Sequence, residues 1–281
     1  MGFERNGAAL FLKMRADGVR FGKTLTLGRQ NIHLDLDEYL RILRRIGRPP
    51  VGIVPEFVDG LLLEMGADEV ESVDFSPYEG ATIVHDLNVP VPAEWRERYD
   101  LIFDGGTLEH VFDFPTAIKN CMQMLKPNGR FVSVTMPNNW CGHGFYQFSP
   151  ELFYRIFSST NGFAVVEMYM ATIGGRAYAV KDPETVRSRV ELCNSTPVFL
   201  LVHARRDAIS DLLTQTPQQS DYQIEWAAKN RTLVRRPKPA WKKHPLVKPM
   251  RRLYQRLAMW RLVRTRSLRN RNHYTPVDLT I

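Results

Sequence analysis

The stretch YDLIFDGGTLEHVFDFPTAIKNCMQMLKPNG, residues 99–129, decides the fold because it contains one strand, one loop, one helix and one stop in succession. The apolar run Leu101–Phe103 is typical of a strand buried on both faces, and it ends at Asp104–Gly106. Apolar residues then recur at helical spacing up to the stop Lys126–Gly129, and Phe131–Met136 begins the next strand. The stretch therefore predicts a β-loop-α-β unit of an open α/β sheet, in which ligands bind beyond the carboxyl ends of the strands.

The same patterns extend the fold in both directions along the chain. Strands that alternate with helices at this spacing predict a mainly parallel sheet with helices on both faces. The predicted strands are Thr24–Leu27, Val70–Phe75, Ala81–His85, Leu101–Phe103, Phe131–Met136, Phe163–Met170 and Pro197–His203. Besides the helix of the opening stretch, the predicted helices are Asn6–Ala16, Leu36–Ile46, Pro55–Met65 and one that is capped by Ser149 and ends near Ser158.

Composition indicates an ordinary globular protein. The chain has 281 residues, 44% hydrophobic and 24% charged, which is enough for one substantial core and an appendage. It contains no apolar run of about 18 residues, and its first residues carry charges too early for a secretory signal. Its three cysteines are scattered, which favours free thiols over a disulfide framework or a zinc site. These features predict a cytoplasmic protein.

Charge separates the C-terminal tail from the rest of the chain. Residues 231–281 hold 15 Lys or Arg against one acid, a net +14, whereas residues 1–230 hold 23 against 29, a net −6. Apolar residues in the tail form one helical stripe among arginines: Leu246, Met250, Leu253, Leu257 and Trp260. Such a basic amphipathic helix can dock on the body or on a second subunit, lie on an anionic membrane at its inner face, or bind nucleic acid, which the acidic body disfavours.

We therefore predict three parts of the chain: an α/β domain at residues 1–205, a linker at 206–244 and a basic amphipathic helical tail at 245–281.

The quoted stretch resembles a known family. An aspartate-ended strand followed by Gly-Gly-Thr-Leu-Glu-His, a helix, Leu-Lys-Pro-Asn-Gly and a strand ending in Pro137-Asn138 is similar to the later motifs of class I S-adenosylmethionine-dependent methyltransferases. The resemblance extends more loosely from about Lys23 to about Arg205. It implies a Rossmann-like methyltransferase fold with a seven-stranded sheet whose last strand is antiparallel. It also implies a transferase that uses S-adenosylmethionine as its cofactor.

The resemblance also implies roles for residues at three strand ends. Asp74 would accept hydrogen bonds from the ribose hydroxyls, although an aspartate after a strand is also a common structural cap. Asp86 would accept from the adenine amino group with Leu87 beside the ring, and the alternative for Asp86 is an Asx turn. Asp104 and Gly105 would face the methionine end of the cofactor.

The turn after the first strand departs from the family pattern. The family usually has G-x-G-x-G there, whereas this chain keeps only Gly28, followed by Arg29 and Gln30. The two side chains can replace backbone contacts, with Arg29 pairing to the carboxylate of the cofactor, and the alternative for Arg29 is a surface salt bridge. The missing G-x-G-x-x-G also counts against a dinucleotide-binding enzyme.

The candidate catalytic residues are two histidines. His110 follows the predicted strand end, and His143 lies in the Gly-rich aromatic loop Asn138–Phe148. Either could act as the base that takes a proton from an acceptor hydroxyl. The alternatives are that His110 satisfies a loop carbonyl and that His143 is merely exposed.

The same loop supplies the candidate acceptor pocket. The aromatic residues predicted to line it, or in part to pack beneath the loop, are Trp140, Phe145, Tyr146 and Phe148. Some relatives with a similar Glu-His pair bind a divalent metal, but we find no further ligands at a convincing spacing beside Glu109, so no metal site is predicted.

These residues favour methyl transfer from S-adenosylmethionine to a hydroxyl of a small molecule or a saccharide. Two alternatives remain at this point: a non-catalytic binding protein with a degenerate cofactor turn, and an RNA methyltransferase that uses the tail as an electrostatic arm. The partners expected are the acceptor molecule, an anionic membrane surface through the tail, and a second copy in a homodimer.

Overall fold

The computed structural model of the chain describes residues 2–229, 256–261 and 263–281. Its strands are β1 Phe3–Glu4, β2 Gly22–Leu27, β3 Ile32–His33, β4 Ala67–Asp74, β5 Ile83–Val84, β6 Tyr99–Asp104, β7 Leu125–Asn138, β8 Phe163–Thr172, β9 Ala177–Val180, β10 Val198–Arg206 and β11 Tyr274–Val277. Its helices are α1 Arg5–Ala16, α2 Leu36–Arg45, α3 Asp59–Glu64, α4 Phe114–Met124, α5 Pro150–Ile156, α6 Pro183–Val186 and α7 Ser220–Lys229.

One large sheet of nine strands organises the described residues, in the order β11-β9-β8-β10-β7-β6-β2-β4-β5. The five strands from β7 to β5 are parallel to one another. β10 is antiparallel to both of its neighbours, β7 and β8. The mainly parallel sheet and its antiparallel last predicted strand are therefore confirmed.

Apolar residues cover both faces of the sheet, as the pattern in β6 predicts. Leu101 and Phe103 belong to one core, and the Phe103 ring lies 5.0 Å from the ring of Phe11 in α1. Ile102 points to the opposite core, which also contains Ile118 of α4. Because successive residues of a strand face opposite sides, one apolar run serves two cores. The predicted α/β fold with helices on both faces is confirmed.

The sheet is wider than the seven strands that we predicted. β9 lies in the segment after β8 for which no strand was predicted, and it pairs antiparallel with β8. β11 lies in the predicted helical tail and pairs antiparallel with β9, with Tyr274 fully buried. Both strands are only four residues long and carry too little periodicity for recognition.

The C-terminal region differs from its predicted organisation in two places. Residues 274–281 belong to the sheet domain, because β11 completes the edge of the sheet next to β9. The predicted linker contains α7, whose first residue is held by hydrogen bonds from Ser220 to the Glu151 carboxylate. Residues 256–261 and 263–265 are helical. The predicted stripe residues Leu246, Met250 and Leu253 lie outside the described residues.

The predicted helix Pro55–Met65 is shorter in the structure and begins only at Asp59. The residues before Asp59 form backbone hydrogen bonds with another segment instead. The Ile32 amide donates to the Glu56 carbonyl, and the Val58 amide donates to the Gln30 carbonyl. These bonds tie the segment before α3 to the turn after β2, so it cannot form helical bonds of its own. Within the described ranges, no helix has both the length and the apolar character needed to cross a membrane.

Candidate functional site

The carboxyl ends of β2, β4 and β6 meet at one rim of the sheet. Leu27, the last residue of β2, lies beside Val73 of β4 on one side and Asp104 of β6 on the other. Gly28 follows with a φ of 69°, a conformation that side chains disfavour. A Cβ atom at Gly28 would lie 3.6 Å from Asp74 Oδ2. The structure therefore brings Gly28, Asp74 and Asp104 together at the carboxyl rim of the sheet, where this fold class places its ligand crevice.

The Asp104 carboxylate points into the protein, whereas it was expected to face the methionine end of the cofactor. Its carboxylate is buried and accepts hydrogen bonds from the Thr107 amide at 2.8 Å and the Ser133 hydroxyl at 2.7 Å, with the Leu108 amide at 3.2 Å. Burial raises the pKa of Asp104, and these bonds oppose the rise. Because its oxygens are committed to the turn and to β7, Asp104 shapes the crevice instead of facing a ligand.

Gly105 lies at the floor of the crevice, beneath Gln30. A Cβ atom at residue 105 would overlap the Gln30 amide oxygen and lie 2.7 Å from its Cδ. Only glycine therefore permits this approach of the turn after β2 to the end of β6. Sequence analysis placed Gly105 here and offered the Gln30 side chain as a replacement for backbone contacts, but no pattern predicts that this side chain lies against Gly105.

Arg29 points away from the crevice. Its guanidinium donates to the Glu79 carbonyl at 2.8 Å, lies 3.5 Å from Asp59 Oδ2 and covers the Phe57 ring at 4.0 Å. These contacts match the salt-bridge alternative and do not match the expected pairing with a cofactor carboxylate.

The two aspartates expected at the nucleoside end have different environments. Asp74 Oδ1 accepts a single bond from the Ser76 amide at 3.2 Å, and Oδ2 is the oxygen near Gly28. Asp86 Oδ1 accepts from both the backbone amide and the side-chain amide of Asn88, which is the Asx-turn alternative, and these bonds lower the pKa of Asp86. Leu87 is buried in the core. Asp74 is therefore the better placed of the two for ribose hydroxyls.

The loop after β7 is fixed to the turn after β6 by one carbonyl group. The Glu109 carbonyl accepts from the Phe145 amide at 2.8 Å and from the Tyr146 amide at 3.2 Å. A Cβ atom at Gly144 would lie 2.8 Å from the same oxygen, so the glycine is needed for the approach. This contact places the His143 ring 5.1 Å from the His110 ring, measured between centroids.

Glu109 completes a cluster that sequence analysis recognised only in part. Its Oε2 accepts from the Thr135 hydroxyl at 3.2 Å, and burial, with the charge of Asp104, raises its pKa to about 8. Within the described part of the chain, Glu109 Oε1 and His143 Nε2 are buried and have no hydrogen-bond partner. Burial lowers the pKa of both His110 and His143, although His110 lies at the exposed edge.

One ligand atom from each of Glu109, His110 and His143 lies within 4.8 Å of the others. One carboxylate and two imidazoles of this kind could hold a divalent ion. His143 is thus the further ligand type that sequence reasoning did not find beside Glu109. His143 is distant from Glu109 in sequence and comes close to it only in the folded chain, because the loop contact at Gly144 brings it there. The prediction of no metal stays a prediction.

The aromatic residues of the loop divide into two groups. The Tyr146 hydroxyl donates to the Phe112 carbonyl at 2.6 Å, and its ring stacks on Phe148 at 5.7 Å, so Tyr146 holds the loop. Trp140 lies 5.9 Å from His143 between ring centroids, and its buried Nε1 has no partner among the described residues. Trp140 remains a candidate for acceptor contact. Phe112 and Phe145, both largely exposed, add an apolar rim, of which only Phe145 was predicted.

Comparison with known proteins gives relatives that match part of the chain. No family model matches. The ubiquinone biosynthesis O-methyltransferase of Bradyrhizobium diazoefficiens is 30% identical over 99 residues, covering 35% of this chain and 35% of that protein. The protein of the same name from Nitrobacter winogradskyi is 30% identical over 97 residues, covering 34% of this chain and 33% of that protein. The matched region thus spans about a third of the length of these curated relatives.

Solved structures with a similar arrangement are more distant. One is the 1,6-didemethyltoxoflavin-N1-methyltransferase of Burkholderia thailandensis with S-adenosylhomocysteine, at 16% identity and a TM-score of 0.41, covering 72% of this chain and 77% of that chain. Another is the N-methyltransferase NodS of Bradyrhizobium japonicum with S-adenosylhomocysteine, at 15% identity and a TM-score of 0.40, covering 72% of this chain and 86% of that chain.

Proposed function

We propose that this chain, which belongs to the class I S-adenosylmethionine-dependent methyltransferases, transfers the methyl group of S-adenosylmethionine to a hydroxyl of a small molecule or a saccharide. The observation that carries the proposal is the convergence of Gly28, Asp74 and Gly105 at one rim of the sheet, with the histidine cluster at the same end. The names of the relatives, which are O-methyltransferases, support oxygen as the acceptor atom.

The crevice has the features that an adenosyl cofactor needs. Asp74 Oδ2 lies near Gly28, where a carboxylate oxygen can accept from ribose hydroxyls. Gly28 and Gly105 carry no side chains of their own at two strand ends, which permits close approach there, and the Gln30 amide already lies against Gly105. When bound, S-adenosylmethionine supplies an electrophilic methyl group. The residues of this chain then position the two reactants for an in-line displacement.

His143 has the geometry of a base for the acceptor hydroxyl. Its Nε2 is buried and unpartnered within the described ranges, so its lone pair is available in the neutral ring. The rings of His110 and Trp140 both lie beside it. An acceptor hydroxyl hydrogen-bonded to Nε2 would transfer its proton there as the oxygen attacks the methyl group. The exposed rings of Phe112 and Phe145 would contact the apolar part of the acceptor.

A transfer assay tests the proposal. Purified protein is incubated with S-adenosylmethionine labelled in its methyl group and with separate panels of phenols, sugars and amines. The proposal predicts label in the ether products of hydroxyl acceptors. Label that appears only in amine products would contradict an oxygen acceptor, and label in none of the panels, despite cofactor binding, would favour the non-catalytic alternative.

The basic tail supports a peripheral contact of the enzyme with an anionic lipid surface, which would suit a lipid-linked acceptor. Apolar side chains are exposed on the described helical residues: Leu257 at 57%, Met259 at 60%, Trp260 at 61% and Val263 at 41%. Arg264 lies over the Trp260 ring at 5.3 Å. Exposed apolar side chains among arginines suit the headgroup region of such a surface.

Substitution tests the lipid contact better than truncation, because removal of the tail would also remove β11 from the sheet. A variant with Arg256, Arg261 and Arg264 changed to Gln should sediment less with phosphatidylglycerol vesicles than the unchanged chain. Neutral phosphatidylcholine vesicles are the control. Equal sedimentation of the two proteins with the anionic vesicles would contradict a contact made by these arginines.

A further inference from the structure

Gln30 occupies the place where the family has a bare glycine-rich turn, and it is nearly inaccessible to solvent, with 5% of its surface exposed. Its Nε2 donates to the Leu27 carbonyl and lies 3.3 Å from the Thr107 hydroxyl. The amide oxygen lies against the Cα of Gly105, where no Cβ atom could fit. The side chain therefore lies over the floor of the crevice, between the ends of β2 and β6.

The neighbouring side chain cannot take this position. Arg29, the other residue of the turn that could offer side-chain contacts, is held by Glu79, Asp59 and Phe57 on the far side of the turn. A Cβ atom at Gly28 would lie 3.3 Å from Gln30 Nε2 and 3.6 Å from Asp74 Oδ2. The polar side chains that border Gly28 are thus those of Gln30, Asp74 and Thr107, whose hydroxyl would lie 3.1 Å from that Cβ atom.

Gln30 can also leave its present bond without leaving a buried acceptor unpaired. The Leu27 carbonyl accepts a second hydrogen bond, from the Thr107 hydroxyl at 2.6 Å. Loss of one partner usually costs the full desolvation penalty of the group that is left behind, but here the carbonyl keeps a donor. A rotation of the Gln30 side chain away from Leu27 would therefore leave the Leu27 carbonyl hydrogen-bonded.

An amide is chemically matched to one end of the cofactor. It offers a donor and an acceptor on the same planar group, whereas an α-amino acid offers a carboxylate and an ammonium group close together. We propose that Gln30 binds the amino-acid end of S-adenosylmethionine with its side-chain amide. The proposal rests on the proposed function, and it assigns to a side chain the contact that Arg29 was expected to make.

Two nucleosides that differ only at this end give the test. S-Adenosylhomocysteine carries the amino-acid group, and 5′-methylthioadenosine ends in a methyl group instead. Their affinities are measured by calorimetry on the full chain for the unchanged protein, Gln30→Leu and Gln30→Ala. Gln30→Leu keeps the bulk and removes the amide, whereas Gln30→Ala removes both. Gln123→Ala, near the end of α4, is the matched control.

We expect both Gln30 variants to bind S-adenosylhomocysteine about tenfold more weakly and 5′-methylthioadenosine within twofold of the unchanged protein, since one or two hydrogen bonds to charged groups are lost. The control should change neither affinity. Thermal unfolding of each variant verifies that the fold is retained, and a structural defect would weaken both nucleosides alike.

Three results would overturn the inference. Equally weaker binding of both nucleosides would show that Gln30 has a structural role. Tighter binding of both by Gln30→Ala would show that the side chain only obstructs the site. Unchanged affinities would remove it from the site. These results differ from failure of the proposed function, in which the unchanged protein itself would bind neither nucleoside, and the inference would then fall as well.

Discussion

The parallel half and the antiparallel half of the sheet differ in where their strands end. In the parallel half, from β5 to β7, every strand ends at the same rim, so Gly28, Asp74 and Asp104 come together although they are far apart in sequence. In the antiparallel half, neighbouring strands such as β8 and β10 end at opposite rims. That half carries a partly buried ionic network: Glu167 accepts from His203 at 3.0 Å and contacts Lys13 at 2.9 Å.

The difference teaches that a shared strand direction creates a ligand site and that alternating direction provides cross-strand stabilisation. Substitutions at the parallel rim should therefore affect ligand binding and turnover, apart from those at Asp104, which anchors the rim itself. Substitutions in the antiparallel half should affect the free energy of unfolding and leave the site intact.

Asp104→Ala should give the largest effect of all. It removes the acceptor of two backbone amides and of the Ser133 hydroxyl in the buried turn. We expect a loss of about 3 kcal/mol or more in the free energy of unfolding, measured by urea denaturation, because buried donors are left unpaired. Asp207→Ala, which breaks an exposed pair with Arg205 in the antiparallel half, should cost less than about 1 kcal/mol. Equal losses would contradict the anchoring role of Asp104.

His143→Ala should lower kcat about 100-fold, the low end of the range for a lost general base, while the affinity for S-adenosylhomocysteine stays unchanged. His33→Ala, at an exposed position, is the control. The assay is repeated with a chelator. Activity that vanishes on chelation and returns with a divalent ion would contradict the base assignment and make Glu109, His110 and His143 a metal site.

Glu167 makes the stability of the antiparallel half depend on pH. Burial alone would raise the pKa of Glu167, but bonds from His203, Tyr169 and Lys13 outweigh it and lower the pKa to about 2. A carboxyl whose folded pKa is depressed stabilises the fold above its unfolded pKa and loses that effect as the pH falls through the folded value.

The unfolding free energy should therefore fall by about 2 kcal/mol between pH 4.5 and pH 2 through this group, measured by thermal or urea unfolding across that window. In Glu167→Gln this fall in the unfolding free energy between pH 4.5 and pH 2 should be absent. Identical profiles for the two proteins would contradict a special role of Glu167, and nucleoside affinity at neutral pH should be the same in both.

Gly144→Ala should give the smallest of these effects, and it separates the acceptor side of the rim from the cofactor side. The added methyl group would lie 2.8 Å from the Glu109 carbonyl that holds the loop. We expect KM for the acceptor to rise about tenfold, which corresponds to about 1.4 kcal/mol, with S-adenosylhomocysteine affinity unchanged. Gly60→Ala in α3, where a Cβ meets no atom within 4 Å, is the control. A parallel loss of nucleoside affinity would contradict the division of the rim.

The sequence predicted the parallel half of the fold well, for a physical reason. Buried strands such as β6 need continuous apolar runs, and capped helices such as α5 carry local signals in Ser149 and Pro150. The convergence of Gly28 and Asp74 at one rim follows from topology once the strands are placed. Long-range pairing, by contrast, leaves little local trace, which is why β11 was predicted as helix.

The site residues show the same limit. Sequence position identified Asp104 as an end-of-strand acid, but only its bonds to Thr107, Leu108 and Ser133 show that it faces inward. Side-chain direction in the turn after β2 depends on contacts with Asp59 and Gly105, which no sequence period encodes. The association of His143 with Glu109 depends in turn on a single loop carbonyl.

The central claim is that the rim of the parallel half holds one adenosyl cofactor. Titration of the full chain with S-adenosylhomocysteine, followed by calorimetry, tests it most directly. We predict saturable binding of one molecule per chain with micromolar affinity, reduced at least tenfold in Asp74→Ala because the ribose hydroxyls lose their acceptor. No heat at millimolar nucleoside, or binding that Asp74→Ala leaves unaltered, would contradict the account.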